Sequence, residues 1–473
     1  MPQKGEMHLL LKNSKDMHQF PILKSTKSQT LHRGILFISF LSIQLILFLF
    51  SRPIQLFKHS ASPCDAGLIY VYNLPPAFNR DLIAACEKIN PWPSRCPSLS
   101  SPAGLGLPVI DSDHNFTDLM PVNLLQSWFS TDQFALELIF HHRMLNHQCR
   151  TLNPSKAAAF YIPFYVGLAL EPHLWSPNST SYDRDRDGLS LLQWLQIQSP
   201  YQKSHGWDHF ITLGRITWDF RRSHQSDWGS SFLYMTEMGN ITRLLIERDP
   251  WDEKDVAVPY PTGFHPRSLA DVQEWQQFVL NRKRKTLFGY VGAPRSGFKN
   301  DFRGLLLNEC VQAGSKCRSV DCNAGKCINS SAETMELFLD SEFCLQPRGD
   351  SFTRRSLFDC MVAGSVPVLF WKRSAYMQYK LYLPGYGDEP EWSVFIDRRD
   401  MRERNVSVRS VLEGIREDKI RELRERVVKL IPRLVYAAES LGEGMDDAFD
   451  IALKGVLRQF KDRRRRMKVA ITK

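Results

Sequence analysis

With 473 residues, 43% of them hydrophobic and 24% charged, the chain can bury one large core or two ordinary ones; its composition excludes a disordered, collagenous or coiled-coil protein. The formal charge of +10 would suit nucleic acid, but it is concentrated at the two ends. Lys4, Lys12, Lys15, Lys24, Lys27 and Arg33 crowd the start and a second basic cluster follows Arg458, so the body is near neutral and no nucleic-acid partner is expected.

Gly34–Phe50 (GILFISFLSIQLILFLF) carries no charge and, with Leu31 upstream, approaches the roughly 20 residues that cross a bilayer core. It begins too late, and ends too abruptly at Phe50-Ser51-Arg52-Pro53, for a cleaved signal peptide. The pattern predicts a basic cytoplasmic tail over 1–33, a transmembrane anchor over 34–50 and a stem over 51–63, with everything beyond on the lumenal side. Five N-x-S/T sequons, at Asn115, Asn178, Asn240, Asn329 and Asn405, and ten cysteines agree with an oxidising lumen. Cys310, Cys317, Cys322 and Cys327 lack the paired C-x2-C knuckles of structural zinc and read as local disulfides. Cys344 and Cys360, in apolar surroundings, read as buried thiols.

Strand and helix patterns then alternate. Gly67–Tyr72 and Ala157–Val166 read as strands, with helical spacing over Leu124–Leu145 between them. Asp208–Leu213 and Asp255–Tyr260 are further strands, and Leu269–Arg284 is a helix. Thr286–Val291 is a strand leading to the turn Gly292-Ala293-Pro294-Arg295, and Asp301–Gln312 a helix. Glu342–Leu345 and Val366–Phe370 are strands around a helix over Thr353–Ala363, and 409–460 is helical with alternating charge. This order predicts parallel sheets covered by helices, in an N-terminal α/β domain over 64–275, a C-terminal one over 276–460 and a basic tail over 461–473.

The most informative stretch is Phe343–Phe370, FCLQPRGDSFTRRSLFDCMVAGSVPVLF. A buried strand ends at Pro347, a glycine loop (Arg348-Gly349-Asp350-Ser351) follows, and Thr353, Arg354 and Arg355 fall in the first turn of the predicted helix. Strand, glycine loop and helix start together make a phosphate site, with free backbone N–H groups, hydroxyls and arginines facing one place. The plainer reading is a capped helix with a solvated arginine pair.

This stretch resembles the signature of exostosin-like glycosyltransferases, GDS-x-[ST]-x-R-x-FD-x-M-x-AG-x-x-PV. Further segments resemble the plant xyloglucan galactosyltransferase branch, among them IYVYNLP (69–75), TDQFALELIFHHRM (131–144), DHFITLGRITWDFRR (208–222), VPYPTGFHP (258–266) and GAPR (292–295), so the likeness runs from about residue 64 to about 458. It implies two Rossmann-like domains (the GT-B fold), an inverting transfer of galactose from UDP-galactose to xylosyl side chains of xyloglucan, and a type II Golgi membrane protein working beside other Golgi glycosyltransferases. Arg348 and Ser365-Val366 depart from the usual pattern, which leaves a UDP-uronic acid or UDP-pentose open as donor.

By that resemblance, Asp350, Ser351, Thr353, Arg354 and Arg355 hold the donor, Arg295 meets the leaving diphosphate, and Asp359 orients the arginines. Asp219, at a predicted strand end, is the candidate base, with an ion pair to Arg221 or Arg222 as the bland alternative; His224 and His265 rank below it. Neither Asp111-Ser112-Asp113 nor Asp183, Asp185 and Asp187, read as a surface loop, resembles a donor-site metal pair, so no metal or other cofactor is expected. A lumenal glycan-binding scaffold would have no use for the intact arginine loop, and a glycoside hydrolase would need a carboxylate pair that does not stand out.

Overall fold

A computed structural model describes residues 64–471, apart from 113, 224–226, 296, 298–300, 324–326, 328–330, 386–390 and 443. The predicted cytoplasmic tail, the anchor Gly34–Phe50 and the stem lie outside the described residues, as do His224 and Asn329. Among the described residues no helix is long and apolar enough to cross a membrane.

The described residues form one compact unit built on two parallel sheets. The first comprises β1 (Leu68–Val71), β2 (Arg150–Thr151), β3 (Ala157–Ile162), β4 (His209–Ile216), β5 (Thr242–Glu247) and β6 (Asp255–Ala257), in the order β2-β1-β3-β4-β5-β6. Every pairing is parallel, and the strands read as near-continuous apolar runs because helices cover both faces. The second sheet comprises β7 (Thr286–Gly292), β8 (Cys317–Asp321), β9 (Ser341–Gln346), β10 (Val366–Leu369) and β11 (Val394–Phe395), in the order β8-β7-β9-β10-β11, again all parallel. Counted from its own first strand that order is 2-1-3-4-5, a doubly wound sheet whose winding reverses between β7 and β9.

The helices that matter here are α1 (Leu136–Leu145), α2 (Val166–Leu174), α3 (Ser181–Gln196), α4 (Leu269–Asn281), α5 (Phe302–Ala313), α6 (Ser331–Asp340), α7 (Ser356–Val362), α8 (Glu417–Leu434) and α9 (Ala448–Ile471). Ser268 caps α4 by accepting from the Asp271 N–H, and Asp301 caps α5, so both start where a polar side chain satisfies a free backbone donor. The last helix, α9, returns to the first sheet. Its Phe449 and Phe460 rings are fully buried against Phe140 of α1 and Phe210 of β4, and Arg464 donates to the Ala158 carbonyl.

Several boundaries depart from the sequence reading. Leu124–Leu145 is a 3-10 turn over Val122–Ser127, a short bridge strand and α1, not one helix. Asp183, Asp185 and Asp187 lie on α3, not in a loop. Asp183 forms a capping box with Thr180, and Asp185 accepts from Ser230, Ser231 and Arg222. The cysteines pair as 64–149, 86–96, 310–317, 322–327 and 344–360. Cys344 and Cys360 are therefore bridged, not free thiols: β9 and α7 bring them together. Among the described residues no group of acidic, His or Cys side chains could hold a metal. Asn115, Asn178, Asn240 and Asn405 are all exposed.

Candidate functional site

In a doubly wound sheet, ligands bind beyond the carboxyl ends of the strands, where the winding reverses. Here that crevice opens between the ends of β7 and β9. β7 runs into Gly292-Ala293-Pro294-Arg295, and β9 into Pro347-Arg348-Gly349-Asp350. The two turns meet: Arg295 Nη2 donates to the Gly349 carbonyl at 2.9 Å and to Asp350 Oδ1 at 2.6 Å. A side chain at Gly349 would put its Cβ 2.0 Å from the Thr353 carbonyl, so only glycine lets the loop fold back this tightly.

α7 begins at Ser356, later than the sequence pattern suggests. Thr353, Arg354 and Arg355 are thus loop residues, and the short helix adds little to anion binding beyond them. Ser356 and Gln346 exchange hydrogen bonds and pin the far end of the loop to β9.

The loop concentrates positive charge. Arg295, Arg303 of α5 and Arg354 converge there, and Asp350 pairs with Arg295 and Arg303. Arg354 Nη2 donates to the Val291 carbonyl at 2.7 Å, while its buried Nη1 has no partner among the described residues. Burial, and then the guanidinium groups of Arg354 and Arg295, lower the affinity of Arg303 for its proton. Cations crowded like this, with a buried donor left over, suit a ligand with more than one negative charge. Arg348 lies 5.4 Å from the centroid of Trp371, beside Arg373 and Arg398 over the same ring.

Arg355 has a different job. It donates to the Thr131 carbonyl at 2.6 Å and pairs with Asp359 at 3.2 Å, so it ties the loop to the first half of the chain. Asp359 is held up above its ordinary value by burial, against the pull of Arg355. This is an i,i+4 ion pair, the plainer alternative to the orienting role expected for Asp359.

The first sheet supplies a residue the sequence reading passed over. Glu247, fully buried at the end of β5, accepts from the Thr353 N–H and hydroxyl, both at 2.7 Å. Tyr260 completes the contact with Thr353 at 3.1 Å. Burial pushes the Glu247 carboxyl above its ordinary value. An acidic residue ending an apolar run, TRLLIE, was the available signal.

Asp219 sits in the turn after β4, as expected, but both its oxygens are taken. Arg215 donates to Oδ2 at 2.8 Å and the Trp228 indole to Oδ1 at 2.9 Å. Its partner is Arg215, neither Arg221 nor Arg222, and it holds Trp228 instead of standing free as a base. His265 is buried between Thr131 and the Tyr436 carbonyl, and burial lowers it to about 4, which makes it a structural residue. Asp113 and the Asp111 side chain lie outside the described residues.

Two parallel sheets meet at this arginine-lined site, and the family match makes the protein a glycosyltransferase. The Exostosin GT47 domain matches residues 63–412, and the chain belongs to that family. It is 56% identical over 401 residues to the xyloglucan galactosyltransferase XLT2 of Arabidopsis thaliana, covering 84% of this chain and 76% of that one. It is 41% identical over 409 residues to the probable xyloglucan galactosyltransferase GT12 of the same plant, covering 86% and 79%. With the xyloglucan-specific galacturonosyltransferase 1, also from Arabidopsis thaliana, it shares 39% over 402 residues, covering 84% and 57%.

Proposed function

We propose that the chain transfers galactose, with inversion, from UDP-galactose to xylosyl side chains of xyloglucan. The observation that carries this is the arginine crevice at the β7/β9 reversal in a chain 56% identical to a xyloglucan galactosyltransferase. The two sheets are read as the Rossmann-like halves of a GT-B enzyme. In the step itself, an acceptor hydroxyl oxygen bonds to the anomeric carbon as the bond from that carbon to the diphosphate breaks. The diphosphate leaves with the electron pair, and the hydroxyl proton passes to solvent water. Arg354, with Arg295 and Arg303, meets the charge that grows on the leaving group, and Asp350, Ser351 and Thr353 shape the loop around it. Because guanidinium groups supply this charge, turnover is proposed to need no divalent metal.

The test is a donor screen on the full-length protein purified in detergent, with xyloglucan oligosaccharides and chelator present. UDP-galactose should be the productive donor, and EDTA should leave the rate unchanged. UDP-galacturonic acid belongs in the panel because Arg348, Arg373 and Arg398 gather round Trp371 and would suit a sugar carboxylate. Turnover with that donor alone overturns the galactose assignment, and loss of rate in EDTA restored by manganese overturns the metal-free account.

The site of action is proposed to be the Golgi lumen, with Gly34–Phe50 as a type II anchor and other Golgi glycosyltransferases as neighbours. Exposed sequons at Asn115, Asn178, Asn240 and Asn405 support this side assignment. Full-length protein in microsomes should shift on a gel after glycosidase treatment; an unshifted band, with cytosolic protease cutting the body, would overturn the topology.

A further inference from the structure

Of eleven tryptophans, Trp128, Trp275 and Trp392 are sealed in the core, while Trp92, Trp175 and Trp228 are 38%, 52% and 37% exposed. These three form one row: the Trp92 and Trp175 ring centroids are 5.5 Å apart, and those of Trp175 and Trp228 are 4.8 Å apart. Exposing three adjacent indoles costs solubility and calls for an occupant.

The row is rigidly built. Trp228 donates to Asp219, Asp219 accepts from Arg215, and Arg215 reaches Glu171 at 3.2 Å. Glu171 also pairs with Arg95, whose guanidinium lies 6.0 Å from the centroid of Trp92. A single buried ionic chain thus runs beneath the row and fixes both ends. The Cys86–Cys96 disulfide closes the loop that carries Trp92. Side chains held this way are already in place before a ligand arrives, which spares the ordering cost of binding.

The row also adjoins the crevice. In the turn Thr217–Phe220, Asp219 supports Trp228, and the neighbouring Trp218 packs on Phe352 of the glycine loop with centroids 5.7 Å apart. One turn therefore joins the tryptophan row to the arginine loop.

We infer that Trp92, Trp175 and Trp228 form the platform for the acceptor's β-linked glucan backbone, stacking on its pyranose faces and presenting a side-chain hydroxyl to the crevice. An equatorially substituted pyranose has faces of C–H groups and a rim of hydroxyls. The faces suit the electron-rich surface of an indole, and the rim stays wet. Neighbouring rings meet edge to face, at interplanar angles of 75° and 69°, so successive sugars would meet differently tilted indole faces. This inference rests on the reading of the acceptor as xyloglucan.

The test compares full-length wild type with Trp175→Ala, Trp92→Ala and Trp175→Phe. Binding is measured calorimetrically to xyloglucan oligosaccharide and to cellohexaose, and slow hydrolysis of UDP-galactose is followed without acceptor. Each alanine variant should weaken oligosaccharide binding at least tenfold and raise the acceptor KM, leave hydrolysis within twofold, and keep the unfolding temperature. Trp175→Phe should recover most of the affinity. Unchanged binding in both alanine variants overturns the platform, as does a shift in oligomeric state by light scattering with binding intact, which would make the row a protein interface. If wild type ignores xyloglucan but binds cellohexaose in a Trp175-dependent way, the platform stands and the proposed acceptor falls.

Discussion

Arg354→Ala is expected to lower kcat by about 10²–10³, the range for removing one pre-positioned donor to charge that develops in a transition state. Arg354 is singled out by its buried Nη1, which has no partner among the described residues, and by the crowding of Arg303 and Arg295 around it. Lysine at this position should restore little, because one ammonium cannot both hold the Val291 carbonyl and reach the ligand. The comparison with Arg355→Ala is decisive. Arg355 is already engaged with Thr131 and Asp359, so its loss strands a buried carboxylate and should show as about 3 kcal/mol of lost stability. Steady-state kinetics and denaturant unfolding on both variants check this. If Arg354→Ala turns over normally while Arg355→Ala is stable but inactive, the two roles are reversed.

Glu247→Ala should weaken donor binding at least tenfold, since the Thr353 N–H and hydroxyl lose their shared acceptor and the loop loses its hold on β5. Glu247→Gln keeps an acceptor oxygen and should retain most affinity. The pair also differs in pH dependence. Because burial raises the Glu247 pKa above its ordinary 4.5, the folded state holds this proton more tightly than the unfolded chain. Its contribution is therefore fully present below the unfolded value and is lost as pH rises through the raised folded value. Thermal unfolding across that window should show Glu247→Gln gaining on wild type as pH rises. A constant difference would mean that Glu247 titrates normally.

The site was legible where chemistry is local. GAPR and PRGDSFTRR announce themselves as turns with arginines, and the parallel sheet brings them together as the strand order requires. What tertiary packing decides was less legible. Gly349 folding against Thr353 delays α7, so residues expected on a helix lie in a loop. β5 was missed because Arg243 and Glu247 look like surface residues; in the fold Asp252 and Asp255 pair with Arg243, and Thr353 donates hydrogen bonds to Glu247. Asp219 was found, but its work depends on Trp228, nine positions along the chain, and no periodicity links the two. Likewise Thr180 and Asp183 reveal α3 as a capped helix only to a reader who does not stop at its alternating charges.

The return of α9 to the first sheet has a consequence for biosynthesis. Strands β1 to β6 leave the ribosome well before Phe449 and Phe460, which seal the buried rings of Phe140 and Phe210. The first sheet must therefore wait, part of its apolar surface open, until residue 460 has been made. Closure joins segments some 300 residues apart, as Arg143 with Asp447 and Arg464 with Ala158 do, and such distant pairings form slowly. Chains cut short before residue 448 would offer chaperones a lasting sticky face. A premature stop just before residue 448 should thus be as damaging to folding as one far upstream of it.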